Sequence, residues 1–192
     1  MNVKPLISSL AFLCLYLCSA SAQQKDLDIT RIGETSSFKG HSISVLTTND
    51  RRENSFLRFT ATLDTYGMLS DRTTKPGVKA SVTYNTIVRN GSINDDIVYI
   101  VYLGAGGVTG YLKDYYRESV RNHGVILGIA PTVGGMVAFR GSNIELGLDF
   151  TAEVALQLRR MEETSSGRLG LSWYANGLLR ALIPQVSIYY RF

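Results

Sequence analysis

Between residues 143 and 160 apolar and polar side chains alternate in step. Ile144, Leu146, Leu148, Phe150, Ala152, Val154, Leu156 and Leu158 fall at even positions; Glu145, Gly147, Asp149, Thr151, Glu153, Ala155, Gln157 and Arg159 fall at odd ones. Successive side chains of a strand point to opposite faces, so this run has one apolar face and one mostly polar face. Its length decides between two settings. Strands of soluble domains usually run about five or six residues, whereas a tilted strand that crosses a bilayer takes roughly 9–11 and often projects beyond it.

The same alternation recurs. Val125, Leu127, Ile129, Val133, Val137 and Phe139 share a face of 124–139, which joins the first run through the hairpin signal Arg140-Gly141-Ser142-Asn143. Pro131 lacks a ladder donor, which predicts a bulge or break there. Val78, Ala80, Val82, Tyr84, Thr86 and Val88 oppose Lys79, Ser81, Thr83, Asn85 and Arg89, and Leu57, Phe59, Ala61 and Leu63 oppose Arg58, Thr60, Thr62 and Asp64. At the end, Val186, Ile188, Tyr190 and Phe192 oppose Gln185, Ser187, Tyr189 and Arg191. Residues 96–112 are apolar on both faces, so the pattern leaves their facing open. Residues 41–48 alternate less cleanly and 27–33 least, yet 27–33 is needed to reach an even number of strands.

Short joints are expected near 49–54, 90–95 and 140–142, and longer ones near 34–40, 67–77, 112–123 and 161–183. Short turns on the periplasmic side and long loops outside are the usual arrangement of an outer-membrane barrel. In 168–183, Leu171, Tyr174, Leu178 and Leu182 recur at helical spacing beside Trp173, which predicts a short amphipathic helix; the competing reading makes 168–176 another strand. With apolar strand faces turned to lipid, only a closed barrel satisfies every backbone donor and acceptor. The expected fold is therefore all-β: an antiparallel up-and-down transmembrane β-barrel of eight strands with a short helix in its last outer loop.

The ends bear on location. Lys4, the apolar stretch Leu6 to Leu17 and Ala20-Ser21-Ala22 read as a secretory signal peptide, residues 1–22, cleaved between Ala22 and Gln23, leaving 23–192 as one barrel domain. The apolar stretch is too short for a spanning helix. Both cysteines, Cys14 and Cys18, precede that site, so a thiolate metal centre or disulfide is not expected. The formal charge of +4 is dispersed, which argues against nucleic acid as a partner. No cofactor is expected.

Several residues are candidates for a role. Arg58, Asp64, Lys79, Arg89, Glu145, Asp149, Glu153, Arg159 and Arg191 fall on the polar faces, hence inside the barrel. An eight-stranded barrel is just wide enough to be filled by side chains, and unpaired buried charges are costly. An ion-pair network of Arg58, Lys79, Glu145, Asp149, Glu153 and Arg191 is therefore expected to fill the interior rather than line an ion path. Glu145, Asp149 and Glu153 stand four residues apart, about 13 Å per step along a strand, too far to share a proton. Catalysis on lipids would need a nucleophile, a base and an orienting acid; His41 and His123 are the two histidines, Glu118 and Ser119 lie near the latter, and no G-x-S-x-G is present. The expectation is a non-catalytic protein. The loop residues Tyr115, Tyr116 and Arg117 suit contact with an extracellular protein or glycan, or a headgroup-level aromatic girdle.

Tyr102-Leu103-Gly104-Ala105-Gly106-Gly107, Ile144 to Leu158, and Asn176 to Gln185 leading into Val186 to Phe192 carry a resemblance. Over roughly its carboxy-terminal half the chain resembles the small outer-membrane β-barrel proteins common in Bacteroides-like Gram-negative bacteria. The resemblance implies an outer-membrane barrel in contact with lipid and without assigned catalytic residues. Tyr190 and Phe192 likewise resemble the terminal signal read by the outer-membrane assembly machinery; an aromatic at a strand end offers both an anchor and a template for strand addition. The functional expectation is a structural or surface-interaction role in the cell envelope. The alternatives are a lipid-modifying barrel enzyme using His41 or His123, and a soluble periplasmic barrel that binds an apolar ligand, with its apolar faces turned inward.

Overall fold

The computed structural model describes residues 27–49, 54–70, 75–115, 123–160 and 169–192. The expected cleavage site at Ala22 and Gln23, the loop residues Tyr116 and Arg117, and Glu118 and Ser119 lie outside them.

The chain forms a closed antiparallel barrel of eight strands with two short helices. Five strands are continuous: β1 (Leu27–Ser37), β2 (Gly40–Asn49), β3 (Ser55–Asp64), β4 (Gly77–Asn94) and β5 (Ile97–Leu112). The other three are each interrupted. The sixth consists of β6 (Gly124–Ile129) and β7 (Thr132–Phe139), broken at Ala130 and Pro131 as the missing proline donor requires. The seventh consists of β8 (Ile144–Thr151) and β9 (Val154–Arg160), broken beside it, where Ala152 N donates to Pro131 O at 3.0 Å. The eighth consists of β10 (Leu169–Trp173) and β11 (Gln185–Arg191), with the helix α2 (Ala175–Leu179) between them; α1 (Tyr66–Leu69) follows β3. Each strand pairs with its neighbours in sequence, and β1 with β11 closes the wall.

Two placements differ from the sequence reading. Only Phe38 and Lys39 separate β1 from β2, so 34–40 is a tight hairpin end rather than a long loop. Arg89, expected inside, is exposed. The register shifts between Ile87 and Arg89, and this bulge breaks the alternation that would have carried its side chain inward. Over the described residues 169–183 both competing readings hold in part, with a strand at Leu169–Trp173 and a helix at Ala175–Leu179.

The register sets the geometry of the wall. Leu148 pairs with Val186, Val186 with Ser36, Ser36 with His41, His41 with Leu63, Leu63 with Val78, Val78 with Tyr111, Tyr111 with Val125, and Val125 with Leu158. The circuit returns to the seventh strand ten residues above its start. Such a stagger is what tilted strands need to close, and it fixes the barrel's diameter together with strand number. It also places β10 above the end of the β1–β2 hairpin. Among the described residues β10 pairs only with β9.

Helix α2 occupies this part of the wall. Tyr174 N donates to Ala155 O at 2.9 Å and Glu153 N to Gly177 O at 3.2 Å, so the helix stays bonded to the break in the seventh strand. Gly177 is required there: a Cβ would lie 2.1 Å from Glu153 O. Leu178, Leu179 and Leu182 face outward, while Tyr174, Asn176 and Arg180 are buried.

Candidate functional site: the charged interior

The distribution of side chains is the reverse of a water-soluble core. Among the described residues, 32 large hydrophobic side chains are exposed, against 12 buried hydrophobic residues and 20 buried polar or charged ones. Leu146, Leu148, Leu156 and Leu158 face out and Phe150 is half-buried; Glu145, Asp149 and Glu153 are buried. The undecided strand β5 turns Tyr102, Val108 and Leu112 inward and Leu103 and Tyr111 outward.

The three interior carboxylates meet different cations. Glu145 accepts from Arg31 Nε at 2.5 Å, and Arg191 Nη1 stands 3.6 Å away. Asp149 pairs with Arg58 Nη1 at 3.0 Å and accepts from the Tyr102 hydroxyl. Arg58 Nη2 donates to Tyr102 Oη at 2.5 Å, and its guanidinium lies 5.2–5.9 Å from the ring centres of Phe56, Tyr102 and Tyr189. Glu153 accepts from Lys79 Nζ at 2.5 Å. The structure thus brings together all six residues of the expected interior network, each carboxylate with one of the three expected cations. Sequence reasoning missed Arg31, because its strand alternates too weakly to assign a face.

It also missed Arg180. From α2 this side chain crosses to Asp64 Oδ2 at 3.0 Å, a carboxylate that Lys79 Nζ approaches at 3.7 Å. Its guanidinium lies 3.9 Å from the Tyr66 ring centre and 5.6 Å from that of Tyr115. Tyr115 is therefore buried against Arg180 rather than offered as a surface contact, a correction to its expected role. Of the residues at helical spacing, Leu171, Leu178 and Leu182 face out while Tyr174 is buried, and the inward Arg180 is not among them.

Close packing fills the space between the charges. Gly134 faces Tyr102 and Asp149, where an added Cβ would lie 2.2 Å from Asp149 Oδ1. Gly33 leaves room for the Tyr189 ring, which an added Cβ would meet at 2.3 Å. Gln157 Nε2 donates to Leu112 O at 2.8 Å, and Lys39 Nζ reaches Thr151 O at 2.9 Å. Burial holds the Lys39 amino group down at about 8, against the pull of Glu153. A cavity of about 170 Å3 remains near the chain's carboxy-terminal strand end, lined by Arg31, Arg140, Glu145 and Arg191 among others.

The two histidines differ in setting. His123 stacks on Tyr111 with ring centres 5.5 Å apart, and burial, followed by the nearby Lys113 charge, lowers its pKa from the ordinary value. His41 lies on the outer wall, its Nδ1 3.3 Å from Ser36 Oγ and 3.7 Å from Glu34 Oε1. No group of three metal-ligating side chains exists among the described residues. The interior is an arrangement for holding charges in place: every carboxylate of the expected network has a cation, and bulky aromatic rings lie between the pairs.

No family model, curated protein or solved structure matches the chain.

Proposed function

We propose that this protein is an integral outer-membrane barrel with a sealed interior, whose role in the cell envelope is structural or exerted at its outer surface. The supporting observation is the inverted wall. Transferring the exposed Leu, Ile and Val faces to lipid removes apolar surface from water, and the closed ladder leaves no backbone edge to the hydrocarbon along the β1–β11 seam. Charges paired inside need no water-filled path. The reading includes export by residues 1–22 and assembly guided by the terminal strand with Tyr190 and Phe192, and it places lipid among the protein's partners. The soluble alternative required apolar faces turned inward, and the wall has the opposite arrangement.

The test is extraction and gel mobility. Expressed in a Gram-negative host, the protein should stay with the membrane pellet through carbonate and urea washes, and unheated samples should migrate differently from boiled ones. Quantitative release by carbonate, or identical migration, would overturn the reading.

A further inference from the structure

One patch of the outer wall departs from its surroundings. Glu34 and Ser36 are neighbours on the outward face of β1, and His41 is the cross-strand partner of Ser36 on β2. The Glu34 and His41 side chains are 70% and 61% exposed. Glu34 is the one exposed carboxylate among the strand residues whose side chains are described. An ionisable group on a wall that faces lipid is expensive and marks a functional site with a partner to be named. Its contact within the chain, 3.7 Å to His41 Nδ1, is longer than a hydrogen bond.

Beside the patch runs an apolar furrow of about 690 Å3, within the roughly 300–1,000 Å3 range of small-ligand sites. Ile32, Ile43, Ala61, Leu63 and Val78 contribute its floor and sides. Ala61 is paired with Ile43 across β2 and β3, and its small side chain leaves the space that a larger residue would fill. At the hairpin end, Phe38 is 75% exposed, an apolar ring at the edge of the patch.

We propose that this patch binds one lipid bearing a primary ammonium headgroup, with an acyl chain lying in the furrow. The inference rests on the membrane reading above. The argument is charge and hydrogen-bond complementarity. An ammonium has three donors and no acceptor. Glu34 offers two carboxylate oxygens; Ser36 Oγ and His41 Nδ1 lie 3.3 Å apart, and with Nδ1–H donating to that hydroxyl, a Ser36 lone pair and His41 Nε2 are left to accept. Glu34 and His41 both line the furrow. With the imidazole neutral the patch carries one formal negative charge, which the ammonium offsets. A choline headgroup has no N–H to donate, and a glycerol headgroup leaves the lipid phosphate charge unbalanced beside Glu34.

The test uses the full chain refolded into vesicles of phosphatidylethanolamine, phosphatidylcholine or phosphatidylglycerol with identical acyl chains, then released for native mass spectrometry. One ethanolamine lipid should be retained roughly tenfold more than either of the others, the worth of one charge-assisted hydrogen bond. Glu34→Gln and His41→Ala should lose that preference while keeping the heat-shifted gel mobility of the folded barrel. Equal retention of the three lipids, or a preference that survives Glu34→Gln, overturns the site while leaving the barrel reading standing. Lysolipid formation that disappears in Ser36→Ala would also overturn it, replacing binding with hydrolysis. A chain that never takes the heat-shifted form in vesicles defeats both readings.

Discussion

Replacing Asp149 with alanine tests whether the barrel interior is filled or wet. The substitution leaves the Arg58 guanidinium, 8% exposed, without its carboxylate at 3.0 Å, and removes the acceptor of the Tyr102 hydroxyl. Breaking a buried pair by removing one member typically costs about 3–5 kcal/mol. The rings of Phe56, Tyr102 and Tyr189 stay near the cation and hold part of the loss, since each favourable contact is worth about 0.5–2 kcal/mol. The expected loss is therefore near the lower end, about 3 kcal/mol. With a urea slope of about 2 kcal/mol/M, the unfolding midpoint should fall by roughly 1.5 M. The assay is equilibrium unfolding of the vesicle-refolded protein, followed by fluorescence of its one tryptophan, Trp173, and by gel mobility. The double variant Arg58→Met/Asp149→Leu removes both charges and should be more stable than Asp149→Ala alone. In a water-filled interior the pair would instead behave like a surface ion pair worth about 0–1 kcal/mol. A single variant within about 0.5 kcal/mol of the native protein would refute the filled interior, and a double variant as unstable as the single would refute the burial argument.

Two further outcomes are expected. Gly177→Ala should destabilise the seat of α2, because its Cβ would meet Glu153 backbone oxygen at 2.1 Å rather than a movable side-chain tip; hydrogen exchange should quicken at Tyr174 and Glu153 relative to β1 and β11, and unchanged protection there would refute it. Stability should rise as pH increases from about 8 to 10.5, because Lys39 gives up its proton in the folded state before the unfolded chain does, and below about 8 the cost of burying the charged amine is constant. Urea midpoints for the native protein and Lys39→Met across that range check this, and parallel pH profiles would count against it.

Much of the wall was legible because the third, sixth and seventh strands and β11 each carry one apolar face. The run from Ile144 to Leu158 assigns Glu145, Asp149 and Glu153 to the interior by parity alone. The cations follow from charge balance, and Arg58, Lys79 and Arg191 stand beside those carboxylates. Legibility ends where parity breaks. The bulge after Ile87 turns Arg89 out, and β5, apolar on both faces at 97–103, gave no sign of which way Tyr102 points. Arg180 was hidden for a different reason. Its inward direction depends on a helix inserted within a strand, and that insertion answers the stagger of the whole barrel, which no local window of sequence contains. The outward grouping of Glu34, Ser36 and His41 needed the cross-strand register, set by a hairpin end shorter than expected.

The Gly33–Tyr189 contact has a consequence for how the cylinder locks shut. Inside and outside faces must match at the final seam, so slippage there is confined to steps of two residues. A two-residue slip brings Arg31 or Thr35 opposite the tyrosine in place of the glycine, and neither leaves a notch for the ring. The aromatic and its hollow thus act as key and ward, admitting a single pitch of the thread and rejecting its nearest even-numbered rivals.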